Sequence, residues 1–133
     1  MVKVLIADDH ALFRDGLRRI FSETEDIEVV AEAVDGKDIL KKIKEYDWDI
    51  ILLDINLPDI NGLDVLKRVL SVNAAARILV LSMYPEEEYA IRAIRSGASG
   101  YLTKDSPTDH LINVIRRLAR GGKYVNPVLA EKL

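Results

Sequence analysis

The sequence predicts an α/β fold in which five parallel strands form a doubly wound sheet with the strand order 2-1-3-4-5. Short runs of Val, Ile and Leu recur along the chain, as in strands that are covered on both faces. Segments with apolar residues at three- and four-residue spacing, typical of amphipathic helices, separate these runs. The length of 133 residues, 49% of them hydrophobic and 31% charged, suits one globular domain.

The elements follow one another as alternating strands and helices. The predicted strands are 3–8, 27–34, 50–54, 77–82 and 99–103, and the predicted helices are 11–22, 37–45, 62–70, 86–96 and 108–120. We expect one domain over residues 1–122, because glycines at 121 and 122 end the last helix. Residues 123–133 are expected to begin a linker or a short helix.

Charge and composition exclude several classes of protein. A net charge of −3 provides no basic excess, so we expect no direct contact of this domain with nucleic acid. The absence of cysteine excludes disulfides and thiolate-bound metals. No apolar run is long enough to cross a membrane, so we expect a cytoplasmic protein without a membrane partner.

Polar residues stand where four of the five predicted strands end. They are Asp8, Asp9, Asp54, Ser82 and Lys104. The carboxyl ends of parallel strands meet at one sheet edge, where ligands of doubly wound folds bind. Three carboxylates there would repel one another by about 1 kcal/mol per pair even in water, so the cluster requires a cation. Oxygen ligands of this kind suit Mg²⁺, with Mn²⁺ or Ca²⁺ as substitutes.

Each of these residues also has a simpler explanation. Asp8 or Asp9 could cap the following helix, and Asp54 could belong to the turn before Pro58. Ser82 and Lys104 could be solvated strand ends. Their combination at one sheet edge nevertheless favours a single site that holds a phosphoryl group and a metal ion.

Four motifs carry a resemblance to a known family. They are "IADDH", "LLDINLPDINGLD", "ILVLSM" and "GASGYLTKD". Over nearly its whole length the chain resembles the receiver domain of bacterial two-component response regulators. The segments "DDHALFRDGL", "VVAEAVDG" and "GGKYVNPVLAEKL" are similar to the NarL/FixJ type, whose regulators usually carry a C-terminal DNA-binding domain of the LuxR type. The resemblance implies a switch protein rather than an enzyme, and an output domain beyond residue 133.

The resemblance assigns roles to the acidic residues. Asp54 would accept a phosphoryl group from the histidine of a sensor histidine kinase. Mg²⁺ would be held by Asp54, by Asp9 directly, by Asp8 through water, and by the backbone carbonyl of Asn56.

The resemblance also implies a switch. Lys104 would pair with the phosphoryl oxygens, the Ser82 hydroxyl would move to bond one of them, and Tyr101 would change rotamer. A separate expectation, which rests on the geometry of the last helix described below, is a homodimer that strengthens when Asp54 is phosphorylated and brings two output domains together on DNA.

Two positions depart from the family pattern. Many receivers have a cis-proline after the lysine, whereas this chain has Asp105, so the sequence leaves the isomer open. Met83 stands where a small residue is common, and its bulky thioether is expected either to hinder access to Asp54 or to slow the movement of Ser82. Together with Asn56 and Tyr84, Met83 is expected to tune the lifetime of the phosphoryl group.

Other classes are less consistent with the residues. A phosphatase of the haloacid-dehalogenase kind would need an Asp-x-Asp pattern after the first strand, and a flavodoxin-like FMN carrier would need a hydroxyl- and glycine-rich phosphate loop there. The chain has "ADDHALF" instead. A degenerate receiver would lack a site residue, and this chain lacks none. A stand-alone receiver that acts by protein–protein contact stays open.

The remaining polar candidates have simple interpretations. His10 is expected at the rim of the pocket as a helix-start residue. Arg116, Arg117 and Arg120 share one helix, and near its C-terminus they are expected to be solvated rather than to bind DNA.

The last helix is more apolar than its own core contact requires. On a wheel at about 100° per residue, its apolar side chains fill an arc of roughly 160°, against the ~100° that faces a core. We therefore expect either Ile112 with Ala119, or Val114, to be covered by something beyond the core. The first helix, the 123–133 tail or a second copy of the chain could provide the cover.

Overall fold

The computed structural model describes residues 1–83 and 87–133. The described residues form one five-stranded sheet with helices on both faces. Its strands are β1 (Val2–Ala7), β2 (Ile27–Ala33), β3 (Ile50–Asp54), β4 (Arg77–Ser82) and β5 (Gly100–Thr103). All neighbouring strands are parallel, and their order is β2-β1-β3-β4-β5. The predicted fold class and strand order are therefore confirmed.

Helices follow the strands in alternation. They are α1 (Ala11–Ser22), α2 (Gly36–Glu45), α3 (Gly62–Val72), α4 (Glu87–Arg95), α5 (Thr108–Ala119) and a short α6 (Pro127–Ala130). The predicted bounds differ from these by no more than two residues. The predicted start of the fourth helix, residue 86, lies outside the described residues.

The sheet separates two apolar clusters, because successive side chains of each strand point to opposite faces. Leu5, Ile51 and Leu53 pack with residues of α2, α3 and α4 on one face. Val4 and Leu52 pack with residues of α1 and α5 on the other face. The central strand β3 is buried along its whole length, which explains why its sequence is a continuous apolar run.

Burial of β3 fixes the position of the residue that ends it. Ile50, Ile51, Leu52 and Leu53 are each at most 1% exposed. Complete burial of such a side chain stabilises a fold by about 1.5–3 kcal/mol relative to exposure. The strand therefore cannot slip along its neighbours without exposing these side chains, and Asp54 is held at one place on the sheet edge.

The turn after β3 closes tightly on itself. Gly62 begins α3, and its backbone N–H donates to the Ile55 carbonyl oxygen at 3.1 Å. A Cβ atom at Gly62 would lie 2.5 Å from the Ile55 Cα, closer than any side chain allows. Glycine is therefore required at this position by close backbone approach.

The C-terminal segment lies along the free edge of β5. Tyr124 forms a parallel bridge with Gly100, and its N–H donates to the Ser99 carbonyl oxygen at 2.9 Å. The Tyr124 hydroxyl lies 3.1 Å from Nε2 of His110 on α5. The segment predicted as a linker or short helix thus begins by covering a sheet edge, and α6 follows it.

Part of the apolar excess of α5 is explained within the chain. Val114 is only 3% exposed and belongs to the core, so it forms no open flank. Ile112 and Ala119 are partly buried and pack at the margin of that core. Arg116 is paired with Asp26 through two hydrogen bonds of 2.8 and 3.0 Å, which hold the pKa of Asp26 below its ordinary value.

Membrane insertion has no support in the described helices, none of which is long and apolar enough to span a bilayer.

The two glycines at positions 16 and 62 provide a matched test of this packing. Gly62→Ala should lower the free energy of unfolding by about 1–3 kcal/mol, because the backbone of Ile55 blocks the added methyl group. Gly16→Ala should raise it by about 0.5–1 kcal/mol, because Gly16 lies within α1 with no atom near its Cβ position. Urea unfolding measures both. Equal effects of the two substitutions would contradict the predicted closure of the turn.

Candidate functional site

Two buried carboxylates meet at the carboxyl edge of the sheet. Asp54 is the last residue of β3 and is 2% exposed, while Asp8 directly follows β1 and is 1% exposed. Their strands are neighbours in register, with Ala7 opposite Leu53. The strand order therefore places two acids that are distant in sequence side by side, as the sequence predicts.

A buried lysine pairs with both carboxylates. The Lys104 Nζ atom lies 2.7 Å from Asp8 Oδ2 and 3.2 Å from Asp54 Oδ2, and the lysine side chain is only 5% exposed. The same Nζ atom lies 4.6 Å from the centre of the Phe13 ring, a cation–π contact. Lys104 follows β5, so three strands deliver the three charges to one place.

One carboxylate oxygen in this cluster is under-satisfied. Among the described residues, Asp8 Oδ2 has no hydrogen bond of good geometry, although Lys104 Nζ is close to it. The contact is thus an ion pair without an aligned hydrogen bond. The oxygen is therefore paired in charge but still has room in its hydrogen-bonding capacity for a further cation or donor.

Asp9 and His10 complete the cluster on its open side. His10 Nδ1 lies 3.1 Å from Asp8 Oδ1, 3.2 Å from Asp9 Oδ1 and 4.0 Å from Asp54 Oδ2. One ligand atom from each of the four residues lies within 4.8 Å of all the others. His10 is the N-cap residue of α1 and its side chain is 61% exposed, as expected for the pocket rim. The sequence did not predict that His10 approaches three carboxylates, although its position next to Asp8 and Asp9 could have indicated this.

The donor set fits a hard divalent cation. Three carboxylates face one lysine, so the cluster keeps an excess of negative charge. Carboxylate oxygens at an accessible, partly hydrated edge are the ligands that Mg²⁺ prefers, and Mn²⁺ or Ca²⁺ can bind similar sets. Asp8 Oδ2, whose ion pair with Lys104 lacks hydrogen-bond geometry, is a further acceptor for such a cation.

The simpler explanations for these acids account for only part of their contacts. Asp8 Oδ1 accepts the His10 backbone N–H at 2.8 Å, so Asp8 does support the start of α1. Asp54 Oδ1 accepts the Asn56 N–H at 3.0 Å, a turn contact of the kind expected for aspartate. Neither contact explains why the second oxygen of each residue is buried against Lys104.

The predicted switch residues lie on the neighbouring strands. Ser82 ends β4 and is 2% exposed, and its carbonyl oxygen accepts the Lys104 N–H at 2.8 Å. Tyr101 on β5 is 8% exposed and belongs to the apolar cluster that contains Ala90 and Ala93 of α4. A change at Tyr101 would therefore alter the packing of α4.

Of the three predicted tuning residues, the structure describes two, and both are exposed. Asn56 is exposed in the turn after β3, and Met83 is 64% exposed directly after β4. Tyr84 lies outside the described residues. The peptide bond between Lys104 and Asp105, whose isomer the sequence left open, is trans.

The family model described as "Response regulator receiver domain" matches residues 4–116. The chain belongs to this family. It is 36% identical to the transcriptional regulatory protein DegU of Brevibacillus brevis over 132 residues, covering 99% of this chain and 56% of that protein. It is 37% identical to the oxygen regulatory protein NreC of Staphylococcus aureus strain JH9, covering 99% of this chain and 61% of that protein. The chain thus spans less than two thirds of these relatives.

Solved structures agree with this assignment. A LuxR-family response regulator from Aurantimonas sp. SI85-9A1 superimposes with a TM-score of 0.91 at 31% identity, covering 98% of this chain and 94% of that one. The receiver domain of NarL from Mycobacterium tuberculosis gives a TM-score of 0.84 at 36% identity, with coverages of 90% and 97%. The receiver domain is therefore of the NarL/FixJ type, a family of phosphorylation-controlled switches.

Repulsion within the acidic cluster has a measurable consequence. In the absence of divalent cations, Asp9→Asn should raise the free energy of unfolding by up to about 1 kcal/mol, because it removes one of three neighbouring negative charges. Urea unfolding with a chelator present measures this. The control is Asp15→Asn, at an exposed position of α1, which should change stability by less than about 0.5 kcal/mol. A clear loss of stability in Asp9→Asn would contradict the predicted repulsion.

Proposed function

We propose that this receiver domain accepts a phosphoryl group on Asp54 from the phosphohistidine of a sensor histidine kinase. The observation that carries the proposal is the buried Asp54 carboxylate, held beside Asp8 and paired with Lys104 at the sheet's carboxyl edge. A carboxylate that served only the turn after β3 would need neither the burial nor the lysine.

The transfer follows from the arrangement of charges. A carboxylate oxygen of Asp54 forms the new P–O bond as the P–N bond of the donor breaks, and the electron pair of that bond leaves with the donor nitrogen. Lys104 already lies 3.2 Å from Asp54 Oδ2, so its ammonium group can move onto the arriving phosphoryl oxygens. When bound, Mg²⁺ would be held by Asp9, Asp54 and the Asn56 carbonyl directly and by Asp8 through water, and it would supply further positive charge to those oxygens.

The switch uses residues on the adjacent strands. Phosphorylation adds hydrogen-bond acceptors at the end of β3, next to the end of β4 where Ser82 is buried. Movement of the Ser82 hydroxyl toward a phosphoryl oxygen shifts the end of β4 and, with it, the packing of α4. Tyr101 packs in the same cluster as Ala90 and Ala93, so its rotamer change follows from the new position of α4.

The output is control of transcription through a domain beyond this chain. The chain covers 56% of DegU, which is described as a transcriptional regulatory protein. We infer that residues 1–122 form the receiver and that residues 123–133 lead to a DNA-binding domain of the LuxR type. Tyr124 anchors the start of this connection to β5, so a shift of β5 can be transmitted toward the output.

Self-association provides the second part of the output. On α5 the partly buried pair Ile112 and Ala119 lies at the margin of the core. Phosphorylation that strengthens a homodimer through this flank would bring two output domains together on DNA, and the receiver itself would make no contact with nucleic acid.

Substitution of the acceptor tests the chemistry. Asp54→Asn should abolish the mass gain that the wild type shows on treatment with acetyl phosphate and Mg²⁺, because an amide is a far weaker nucleophile than a carboxylate. Intact-protein mass spectrometry measures the gain. Asp64→Asn, at an exposed position of α3, is the control and should be modified like the wild type. Wild-type modification of Asp54→Asn would reject Asp54 as the acceptor.

A charge on α5 tests the dimer. Ile112→Glu should leave the monomer folded and reduce dimerisation in the presence of beryllofluoride, because a carboxylate would be desolvated at the contact. Sedimentation velocity with and without beryllofluoride measures the dimer fraction. Asn113→Glu adds the same charge at the exposed neighbouring position and should dimerise like the wild type. If Ile112→Glu dimerises as fully as Asn113→Glu, the Ile112 flank is not the contact.

A further inference from the structure

The turn after β3 is attached to the start of α2 through Asp59. Asp59 Oδ1 accepts the Gly36 N–H at 2.7 Å and Oδ2 accepts the Lys37 N–H at 3.0 Å, across more than 20 residues of sequence. The N–H of Ile60 donates to Asp59 Oδ1 at 2.9 Å. Gly36 and Lys37 are the first two residues of α2, so the carboxylate of Asp59 occupies the N-terminus of that helix.

Asp59 completes the hydrogen bonding of this helix start. The first N–H groups of an α-helix have no partner within the helix. Asp35 is the N-cap residue and accepts the Asp38 N–H at 2.8 Å, and Asp38 accepts the N–H of Val34, the residue before the cap, at 3.0 Å. The N–H groups of Gly36 and Lys37, which lie between Asp35 and Asp38, both donate to Asp59. Desolvation raises the pKa of Asp59, but the backbone N–H groups outweigh it and leave the pKa below its ordinary value.

The attachment is close-packed as well as hydrogen-bonded. Gly36 is buried, and a Cβ atom there would lie 2.9 Å from the Ile60 Cβ and 3.1 Å from Asp59 Oδ1. The other side of the turn is closed by the Gly62 N–H on the Ile55 carbonyl oxygen. Asn56 lies between these two attachments, and its own N–H is bound to Asp54 Oδ1.

We propose that Asp59 is a positioning residue for the cation site: by fixing the turn to α2, it holds the backbone at Asn56 where the metal needs an oxygen ligand. This inference rests on the proposed function, in which the Asn56 carbonyl is a Mg²⁺ ligand. The Asp59 carboxylate itself binds the N-terminus of α2 and takes no part in the ligand set. Nothing else in the described turn ties residues 57–61 to α2 by a side-chain hydrogen bond.

Titration calorimetry with Mg²⁺ on the 1–133 chain measures the effect. Asp59→Ala should raise the Kd for Mg²⁺ about tenfold, since loss of a group that orients a metal ligand typically weakens affinity by about 10–100-fold. Asp59→Asn keeps one acceptor oxygen and should give a smaller increase. Gly36→Ala should also raise the Kd, because its methyl group would push Ile60 and the Asp59 carboxylate away from α2 while no acidic residue is replaced.

The matched control is Asp35→Ala. Asp35 caps the same helix but has no hydrogen bond to the turn, so its loss should reduce stability and leave the Kd for Mg²⁺ unchanged. The change in the carbonyl ¹³C chemical shift of Asn56 on addition of Mg²⁺ gives a second readout. This change should be smaller in Asp59→Ala than in the wild type, and unaltered in Asp35→Ala. If Asp59→Ala does not fold, the Kd for Mg²⁺ and the Asn56 carbonyl shift are compared between Asp59→Asn and Asp35→Ala instead.

The results separate this inference from the function on which it rests. A wild-type chain that binds no Mg²⁺ would overturn the metal site itself. A wild-type chain that binds Mg²⁺ while the Asp59 variants bind it equally well would overturn the positioning role alone. Equal weakening by Asp59→Ala and Asp35→Ala would show that only the stability of α2 matters, and would also overturn it.

Discussion

Two buried carboxylates and one buried ammonium group form the interaction on which the rest of this structure depends. Asp8, Asp54 and Lys104 come from the ends of three strands, and only Lys104 among them carries positive charge. A buried ion pair is expensive in desolvation, and here one ammonium group serves two carboxylates. The apolar clusters on both faces of the sheet hold these charges in contact. Packing of the apolar core thus offsets the cost of burying these charges, although their net charge stays negative.

The negative charge that Lys104 leaves uncompensated bears on what the site can bind. The three carboxylates form a pocket that suits a divalent cation, and in the function that we propose such a cation would help the edge to receive the anionic phosphoryl group. The surrounding residues are arranged to respond to such a change. Ser82 and Lys104 are joined through the backbone, and Tyr101 links β5 to the packing of α4. In the proposed switch, these contacts carry a change of charge at the end of β3 to the packing of α4.

Much of this could be predicted from the sequence, because the informative signals are local. The continuous run Ile50–Asp54 predicts a strand buried on both faces, and the polar strand ends predict where the carboxylates meet. The contacts of His10 with three carboxylates depend on the rotamer and start of α1, which a pattern of residue types does not specify. The attachment of Asp59 to α2 was also missed. A Pro-Asp pair resembles an ordinary turn, and its partners are backbone N–H groups more than 20 residues away.

Chemical trapping can identify which carboxylate accepts the phosphoryl group, and we propose that it is the one at the end of β3. An aspartyl phosphate is an acyl phosphate, so borohydride reduces it to homoserine, which tandem mass spectrometry can locate in a peptide. After treatment of the wild-type chain with acetyl phosphate and Mg²⁺, we expect homoserine at position 54. Homoserine at position 8, 9 or 59, with Asp54 unmodified, would contradict it.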